Sequence, residues 1–573
     1  MLNKKILLKL SKYFKVLFFI YIFLIFYLSS ITDINTGLPE YPNMDKVLHF
    51  IEFGILAGIG VFAFRKHRKF KLKLLVFAIF FAFSDEFHQY FVRGRDADIL
   101  DFLVDISPFM ILYFLNFRIN INSVRIKGLY RNKIFELLRS IIPDINFKKN
   151  GRAELTVWIK DKYIYFFINN KYTRKVKLKN NEVLNIKRNV FREFQNLLDD
   201  IISEWGIIYQ TRPIKKIKYM DFKNIDGLEY RLKKKYLMSR KKINLLADVY
   251  RVKKRAVKKA GKNAESLYVG IPFCPSKCAY CSFTSYPMNK FSKYYDQYVE
   301  MLIDEIKLLK NDFKNNKIKI IYFGGGTPFI LKNDDLIKIF DEIFSFVNAD
   351  KLIEFSFEGG RPEILTDKKL EILKRYGVNR ISVNPQTLND KTLTRVKRKH
   401  TIKDFYDAYK KVKNYKFDII NSDLILGLPG EKFKHHKKTI NELIKLELIN
   451  NITVHVLSPK TASKLYKEGY DFDKDIKKSY SYFRRKLKKN NFYPYYLYKQ
   501  RHIIGNLENI GFSKNTKWSF YNIFMIAETN NIYGVGAGAT TKIIKDNEII
   551  NRRNPKDIAA YMKKIEGCHE NYC

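Results

Sequence analysis

The sequence predicts an α/β protein in which a partial (βα)6 barrel with a C-terminal extension follows a small α+β module and a four-helix transmembrane domain. Three observations lead to this architecture. The first 118 residues are more apolar than the rest, strands alternate with helical patterns from residue 261 onward, and polar, glycine-rich turns end those strands. Because 573 residues are too many for one hydrophobic core, we divide the chain into 1–118, 119–260, 261–459 and 460–573.

The N-terminal region contains four apolar stretches, each near the ~20 residues that cross a bilayer, at about 14–30, 47–64, 72–91 and 99–117. No small-residue cleavage site follows the first stretch, so an anchor is favoured over a signal peptide. Lysines precede the first stretch, and lysines and arginines separate the second from the third. Such positive charges remain in the cytoplasm. We therefore predict a multi-pass protein of the cell membrane in which the 31–44 loop faces outward and the residues after the fourth stretch are cytoplasmic.

Ionisable residues also gather at the predicted outer ends of these stretches. Such residues are costly near a membrane and usually mark a site, although an ion-pair network that only holds the helices together is an equal alternative. The set consists of Asp45, His49, Glu52, Asp85, Glu86, His88, Arg93, Arg95, Asp98, Asp101 and Asp105.

The pieces Asp45-Lys46-x-x-His49-Phe50, Ser84-Asp85-Glu86-x-His88-Gln89, Arg93-Gly94-Arg95 and Asp101 resemble the VanZ-like family of four-helix membrane proteins. The resemblance covers about residues 15–117 and departs at Asp105 and Pro108, where the family usually has Asn and Gly. The family's activity is poorly defined. The resemblance therefore implies a type of domain, with an outward-facing lipid or cell-wall-precursor site as a hypothesis.

Residues 119–260 contain no catalytic motif. Two patterns near 124–142 and a strand pair near 153–169 predict the small α+β module, and a helical pattern runs from about 182 to 205. The basic stretch 231–262 is either a solvated helical face or a surface that contacts anionic lipid of the inner leaflet.

Three of the five cysteines fall within eight residues, in Cys274-Pro-Ser-Lys-Cys278-Ala-Tyr-Cys281. Disulfide scaffolds spread their cysteines through small secreted domains, so this clustering indicates a reducing compartment and a metal. Zinc usually takes four protein ligands, often in two separated pairs, and no second cysteine pair lies upstream of the three. Three thiolates in a tight loop instead suit a [4Fe–4S] cluster whose fourth iron is open to a non-protein ligand.

Six predicted strands begin just before this loop and alternate with helical patterns, which implies a parallel sheet curved into a partial barrel. They lie at 267–271, 319–323, 352–357, 380–384, 418–426 and 452–457. Ligands of such folds bind at the carboxyl ends of the strands. There we find Gly324-Gly325-Gly326-Thr327-Pro328, Glu358-Gly359-Gly360-Arg361-Pro362 and Asn384-Pro385-Gln386, while Asp423 lies within the fifth strand.

Together these motifs resemble those of radical S-adenosylmethionine (SAM) enzymes. From about residue 124 to its end, the chain is similar to the oxygen-independent coproporphyrinogen III oxidase family, particularly its coproporphyrinogen dehydrogenase branch. Matching pieces outside the barrel are Trp205-Gly206, Thr211-Arg212-Pro213, Gly505-Asn506-Leu507-Glu508-Asn509 and Gly534-Val535-Gly536-Ala537-Gly538-Ala539.

The resemblance implies two cofactors, a [4Fe–4S] cluster and SAM. The implied cluster ligands are Cys274, Cys278 and Cys281. The implied SAM-binding residues are Tyr280, Gly325, Gly326, Glu358, Gln386, Arg398 and Asp423, with Arg398 suited to the carboxylate and Asp423 to the ribose. The implied reaction uses an electron donor such as flavodoxin or ferredoxin. The 5′-deoxyadenosyl radical then removes a hydrogen atom from a porphyrinogen propionate, which loses CO₂ and becomes a vinyl group.

Two departures from the family concern the substrate. Phe283 replaces a further cysteine, and Lys397 replaces the glycine of a Gly-Arg-x-His motif, here Lys397-Arg398-Lys399-His400. Relatives that lack the further cysteine include haem chaperones. We therefore predict oxidative decarboxylation of a porphyrinogen in haem biosynthesis, with a haem chaperone and a radical enzyme for a membrane or cell-wall substrate as alternatives.

The chain is also strongly basic, with 106 Lys and Arg residues against 58 Asp and Glu and a net charge of +48. Such a charge would suit an anionic partner. The excess is mostly lysine, however, and extends along the whole chain, as a compositional bias of the genome would produce. No long basic block or nucleic-acid-binding motif stands out, so we expect no nucleic-acid partner.

Overall fold

A computed structural model of the chain describes residues 4–570 except for 32–43, 65–69, 93–97, 115–120, 143–145, 170, 181, 199–202, 210, 218–224, 262, 311–316, 461–462, 470–472, 474 and 547. Contacts divide the chain into two compact units. The first comprises Met1–Leu138 with Asp144–Ile202, and the second Arg139–Pro143 with Ser203–Cys573. The boundary predicted at residue 260 therefore lies inside the second unit.

The first unit begins with four helices: α1 (Lys4–Ser29), α2 (Met44–Phe64), α3 (Phe70–Gln89) and α4 (Ile99–Phe114). Buried apolar side chains such as Phe53, Leu56, Ala78 and Phe109 form their common core. Within the described residues, only α2 is both long and apolar enough to cross a membrane; the apolar part of α1 spans 17 residues, Tyr13–Ser29. Helix α3 contains too many charged side chains to meet this criterion, and α4, with 16 residues, is too short. Four spans thus remain a prediction.

Ion pairs join α2 to the beginning of α4. Lys46 Nζ lies 2.8 Å from Asp98 Oδ2 and 3.1 Å from Asp101 Oδ1, and His49 Nδ1 lies 3.0 Å from Asp105 Oδ1. These contacts are those expected of a network that holds the helices together. Arg93 and Arg95, which belong to the same predicted set, lie outside the described residues.

The small α+β module completes the first unit. Its sheet has the order β2-β1-β3-β4-β5, in which β1 pairs with β2 and β3 in parallel and the other pairs are antiparallel. The elements are β1 (Ser123–Gly128), α5 (Arg131–Ile141), β2 (Asn146–Phe147), β3 (Leu155–Lys160), β4 (Tyr163–Ile168), β5 (Lys171–Lys177) and α6 (Val183–Leu198). The predicted strand pair corresponds to β3 and β4.

The second unit contains the predicted barrel. Two helices, α7 (Ile225–Tyr236) and α8 (Arg240–Ala260), precede it. The barrel strands and the helices between them are β6 (Glu265–Ile271), β7 (Phe273–Cys274), β8 (Tyr286–Pro287), α9 (Met288–Phe291), α10 (Tyr295–Lys310), β9 (Ile318–Gly325), α11 (Asn333–Phe344), β10 (Glu354–Phe357), α12 (Asp367–Arg375), β11 (Arg380–Ser382), α13 (Asp390–Arg395), α14 (Ile402–Asn414), β12 (Ile419–Leu426), α15 (Phe433–Leu443) and β13 (Ile449–Val456).

The C-terminal extension adds strands to both edges of this sheet. It comprises α16 (Lys464–Glu468), α17 (Ile476–Lys489), β14 (Phe492–Tyr498), β15 (Asn509–Lys514), α18 (Phe520–Ala527), β16 (Ile532–Val535), β17 (Thr540–Lys545), β18 (Glu548–Arg553) and α19 (Ile558–Glu570). The strand order is β14-β15-β13-β12-β11-β10-β9-β6-β16-β17-β18. Its six central strands, from β13 to β6, are all parallel. The predicted six-stranded parallel sheet is therefore confirmed.

Two buried features hold the second unit together. An aromatic cluster that includes Tyr322 and Tyr521, whose rings stack at 4.0 Å, lies against the barrel strands. In addition, the buried Glu508 carboxylate accepts hydrogen bonds from Lys242 Nζ, Trp205 Nε1 and the Tyr480 hydroxyl at 2.5–2.7 Å. The second network ties the segment before the barrel to the segment after it.

Candidate cofactor site

The cysteine loop follows the first barrel strand. Cys274 and Cys278 are buried, Cys281 is partly exposed, and all three thiols are free. The loop folds back because Cys281 N–H donates to Cys278 O at 3.1 Å, and Tyr286 N–H donates to Pro272 O at 2.9 Å. Three thiols therefore share one short, fixed turn.

Burial disfavours ionisation of two of these thiols, Cys274 and Cys281. It raises the pKa of Cys274, while Thr327, whose hydroxyl donates to Cys274 Sγ at 3.3 Å, and the Arg361 guanidinium act in the opposite direction. Burial raises the pKa of Cys281 as well. A metal can replace the water that a buried thiolate has lost. The loop thus favours metal ligation over free thiolates.

A glycine pair at the end of β9 lies directly against the cysteine loop. Gly325 has a φ of +106°, which other residues rarely adopt, and Gly326 N–H donates to Ile271 O at 2.6 Å. A Cβ on Gly326 would lie 2.5 Å from Phe273 O and 3.0 Å from Cys274 Sγ. Only glycine allows this approach of the two segments.

Arg398 links the cysteine loop to two neighbouring strand ends. Its Nη2 donates to the carbonyl oxygen of Gly360 and, at 2.8 Å, to that of Asn384. Its Nη1 lies 3.4 Å from the Tyr280 hydroxyl and 4.0 Å from Cys278 Sγ. The guanidinium is buried, so its charge is fixed beside a predicted cluster ligand.

Two residues of the sequence motifs to which no role was assigned, His400 and Arg361, support Arg398 and the loop. His400 Nδ1 accepts a hydrogen bond from Arg398 Nε at 3.0 Å. Burial, with the charges of Arg398 and Arg361, lowers the pKa of His400 to about 3, so this imidazole is a neutral acceptor. Arg361 donates to the carbonyl oxygen of Ser276 at 2.6 Å and to its hydroxyl at 3.1 Å, which fixes the middle of the cysteine loop.

Two carboxylates with different proton affinities lie on further strands, Glu358 directly after β10 and Asp423 within β12. The Tyr322 hydroxyl donates to Glu358, and burial together with the Asp423 charge raises the pKa of Glu358. Burial would also raise the pKa of Asp423, but the hydrogen bond and charge of His455 outweigh it, and the pKa of Asp423 is lowered. Of the two groups, Asp423 is the one that stays ionised more readily.

Asn384 joins the two parts of the site. Its side-chain amide donates to Asp423 Oδ2 at 3.0 Å, and its side-chain oxygen accepts from Asp423 N–H at 3.0 Å. Gln386, with a φ of +64°, donates its backbone N–H to Asp423 O at 3.0 Å. The Gln386 Oε1 atom is buried and has no hydrogen-bond partner. A buried acceptor of this kind suits a ligand that brings a donor.

The structure therefore brings the predicted residues together in two groups. The first group comprises residues of the cysteine loop and residues that contact it: Cys274, Cys278, Cys281, Tyr280, Gly325, Gly326 and Arg398. The second consists of Glu358, Gln386 and Asp423, and Asn384 contacts members of both. Arg361, His400 and Asn384 belong to motifs visible in the sequence, whereas Tyr322 and His455 lie within strands and gave no signal.

Comparison with known protein families gives one match in the barrel and one in the N-terminal helices. Residues 268–443 match the Radical SAM superfamily, and residues 5–120 match VanZ/LLP1. The oxygen-independent coproporphyrinogen-III oxidase-like protein HemZ of Bacillus subtilis is 33% identical over 397 residues, which cover 66% of this chain and 79% of that protein. The chain belongs to this oxidase-like family of radical SAM proteins. It carries a VanZ domain at its N-terminal end, which indicates association with a membrane.

Other relatives are haem chaperones. HemW of Bacillus subtilis is 34% identical over 199 residues, and HemW of Escherichia coli is 29% identical over 184 residues. The chain covers 52% and 47% of these proteins, about half of their length. Among solved structures, coproporphyrinogen III oxidase (HemN) from Escherichia coli has a TM-score of 0.45 and 20% identity, covering 55% of this chain and 71% of that chain.

The cofactors of a radical SAM protein are a [4Fe–4S] cluster and SAM, and the site fits both. Three free thiols on one turn supply ligands for three irons and leave the fourth iron open. The close glycine pair and the unpartnered Gln386 oxygen offer contacts to a polar ligand beside them. Which side chain contacts which cofactor atom remains a prediction.

Proposed function

We propose that the second unit oxidatively decarboxylates propionate side chains of a coproporphyrinogen-type tetrapyrrole to vinyl groups, a step of haem biosynthesis. Each propionate loses a hydrogen atom, CO₂ and one electron, and the electron passes to a one-electron acceptor. The length of the similarity carries this proposal. The oxidase-like relative aligns over 397 residues, whereas the haem chaperones align over 199 or fewer. An alignment of 397 residues is too long for the predicted barrel alone, so it includes segments that flank the barrel.

In this proposal Cys274, Cys278 and Cys281 hold the cluster. When bound, the two cofactors supply one-electron cleavage of a sulfonium bond and removal of a hydrogen atom from the substrate. Arg398 places a positive charge beside Cys278 and keeps it there through its two carbonyl partners. A fixed cation next to an anionic cluster stabilises it without reorganisation during the reaction.

The second group of residues would bind the polar parts of SAM. Asp423, whose pKa is lowered, suits hydroxyl donors such as those of a ribose. Glu358, whose pKa is raised, suits an amino group that restores its charge. Gln386 offers an acceptor oxygen without another partner. The opposite pKa shifts of the two carboxylates therefore suit two different parts of one ligand.

The proposal also places the second unit in the cytoplasm, with α1–α4 crossing the cell membrane. The VanZ match and the apolar helix α2 support this arrangement. Single cysteines introduced at residue 37, between α1 and α2, and at residue 67, between α2 and α3, test it. A membrane-impermeant maleimide applied to intact cells should label only the first. Labelling of both positions, or of the second alone, contradicts the topology.

The central experiment is anaerobic reconstitution of the full chain in detergent, with SAM, coproporphyrinogen III and a chemical reductant. We expect 5′-deoxyadenosine and mono- and divinyl products from the wild type, and neither from a Cys274→Ala/Cys278→Ala/Cys281→Ala variant. Cleavage of SAM without a vinyl product would retain the radical enzyme but reject this substrate. A membrane or cell-wall substrate would then be the next to test.

A haem chaperone is the second candidate. Its specific support is Phe283, which is 69% exposed and occupies the position of a further cysteine in the oxidases that the chain resembles. Haem titration of the reconstituted protein separates the two functions. Stable binding of one haem per chain with no vinyl product favours the chaperone, and product without stable haem binding favours the dehydrogenase.

A further inference from the structure

Four exposed lysines form a patch on the outside of the cysteine loop. They come from two segments, and we call Lys397, Lys399, Lys464 and Lys467 the lysine patch. In the first segment the exposed lysines alternate with the buried residues Arg398 and His400, which face the site. The lysines therefore point away from the barrel interior.

Backbone hydrogen bonds attach both segments directly to the cysteine loop. Ala279 N–H donates to Val396 O at 2.9 Å, and Leu465 N–H donates to Ala279 O at 3.1 Å. The residue between Cys278 and Tyr280 thus lies between the two segments. The lysine patch consequently belongs to two segments that contact the cysteine loop beside a predicted cluster ligand.

The conformation of Lys397 is unusual. It follows α13 with a φ of +57°, a helix-end position at which glycine or asparagine is preferred. The neighbouring Lys464 side chain also lowers the pKa of Lys397, as expected where two cations lie close together. Neither feature favours stability. Lys464 lies 3.1 Å from Glu468, which is the one carboxylate paired with the patch in the described part of the chain. Unfavourable local features of this kind point to a function.

We propose that the lysine patch is the docking surface of an acidic one-electron donor protein of the flavodoxin or ferredoxin class. This inference rests on the proposed function, in which the cluster must receive one electron, lost by the donor, for each SAM cleaved. A small substrate is not the occupant, because the groups that would contact small ligands are Glu358, directly after β10, and Asp423, within β12, whereas the four lysines are exposed. Complementary charge would align the donor with the cysteine loop and accelerate its encounter.

The test begins with binding, which requires no cluster. Binding of oxidised flavodoxin to the full chain in detergent is followed by flavin fluorescence anisotropy at low and high salt. Lys397→Gly/Lys464→Gln removes two positive charges and places glycine where the backbone favours it. We expect binding about tenfold weaker than that of the wild type, with a reduced salt dependence. Lys338→Gln/Lys410→Gln, which removes two exposed lysines from α11 and α14, is the matched control and should bind like the wild type.

A second readout separates docking from chemistry. SAM cleavage by the reconstituted chain is measured with reduced flavodoxin and with reduced methyl viologen, a small reductant that needs no docking. The patch variant should require about tenfold more flavodoxin for half-maximal rate, while its rate with viologen is unchanged. An equal loss with both reductants, or no loss with either, refutes the docking inference. Absence of cleavage by the wild type with viologen refutes the proposed function instead.

Anionic lipid is the competing occupant of a basic surface on a membrane-associated chain. The same variant is therefore compared in nanodiscs of neutral and of anionic lipid. A defect confined to anionic nanodiscs, and equal for both reductants, would assign the patch to the membrane and overturn the inference.

Discussion

Gly326 tests the geometry of the cofactor site most directly. In Gly326→Ala the new Cβ would lie 2.5 Å from Phe273 O and 3.0 Å from Cys274 Sγ. Ordinary C···O contacts begin at about 3.3 Å, so the glycine turn and the cysteine loop must separate by roughly 0.8 Å. Overpacking of this kind costs about 1–3 kcal/mol. If that strain is released when the loop is empty, the affinity for the cluster falls about 5- to 150-fold.

Iron and sulfide content measures this effect. The variant is reconstituted under limiting iron beside the wild type and Gly567→Ala, whose new Cβ would meet no atom within 4 Å. We expect a loss of iron and sulfide and of the visible cluster absorbance in Gly326→Ala only, with unchanged far-UV circular dichroism. Wild-type iron content in Gly326→Ala would refute the claim that this glycine shapes the cluster site. Loss of helical signal together with iron would show that the contact supports the fold instead.

Three further predictions concern buried charges. Arg398→Lys cannot reproduce the two carbonyl contacts. We therefore expect the affinities for the cluster and for SAM to fall about 10- to 100-fold, as measured by iron content and by calorimetry with SAM. Unchanged affinities would contradict this role. Burial lowers the pKa of Lys499 to about 7. Between about pH 7 and 10 the unfolded chain therefore binds one more proton than the folded chain. The free energy of unfolding rises in this range by up to about 1.4 kcal/mol per pH unit. Lys499→Met should remove this rise in urea midpoints, and a persistent slope would refute the assignment. Glu508→Ala removes the buried partner of Lys242 and leaves it only the more exposed Glu204, 3.4 Å away. We expect a cost of about 3–5 kcal/mol of stability in urea unfolding, most of which Lys242→Met/Glu508→Leu should restore. Equal loss in both variants would contradict the explanation.

The barrel could be predicted because its strands are short apolar runs that end in glycine or polar residues. All six predicted strands are present, with ends within three residues of those observed. The cysteine spacing and the motifs at the strand ends likewise located the site, since the carboxyl ends of parallel strands meet at one edge. These features are local in sequence and therefore visible without a structure.

Contacts between distant segments could not be predicted. The pairing of Tyr322 with Glu358 joins two strands, and neither residue is unusual in its own sequence context. Membrane topology was ambiguous for a different reason: α3 combines apolar residues with Lys71, Lys73, Asp85 and Glu86, so composition alone does not decide whether it crosses a bilayer. Lys397 was visible as a departure from the family, but only its positive φ shows why glycine is usual there.

The pairing of β6 with β16 has a consequence for how the chain is made. Ser266, near the start of β6, pairs with Ile532, so the strand that leads into the cysteine loop gains its second neighbour only after nearly the whole polypeptide has left the ribosome. Until then β6 presents an open edge to which other chains can add. Premature termination after the cysteine loop but before residue 532 should therefore yield an aggregation-prone product, even though every thiol of the loop has already been synthesised.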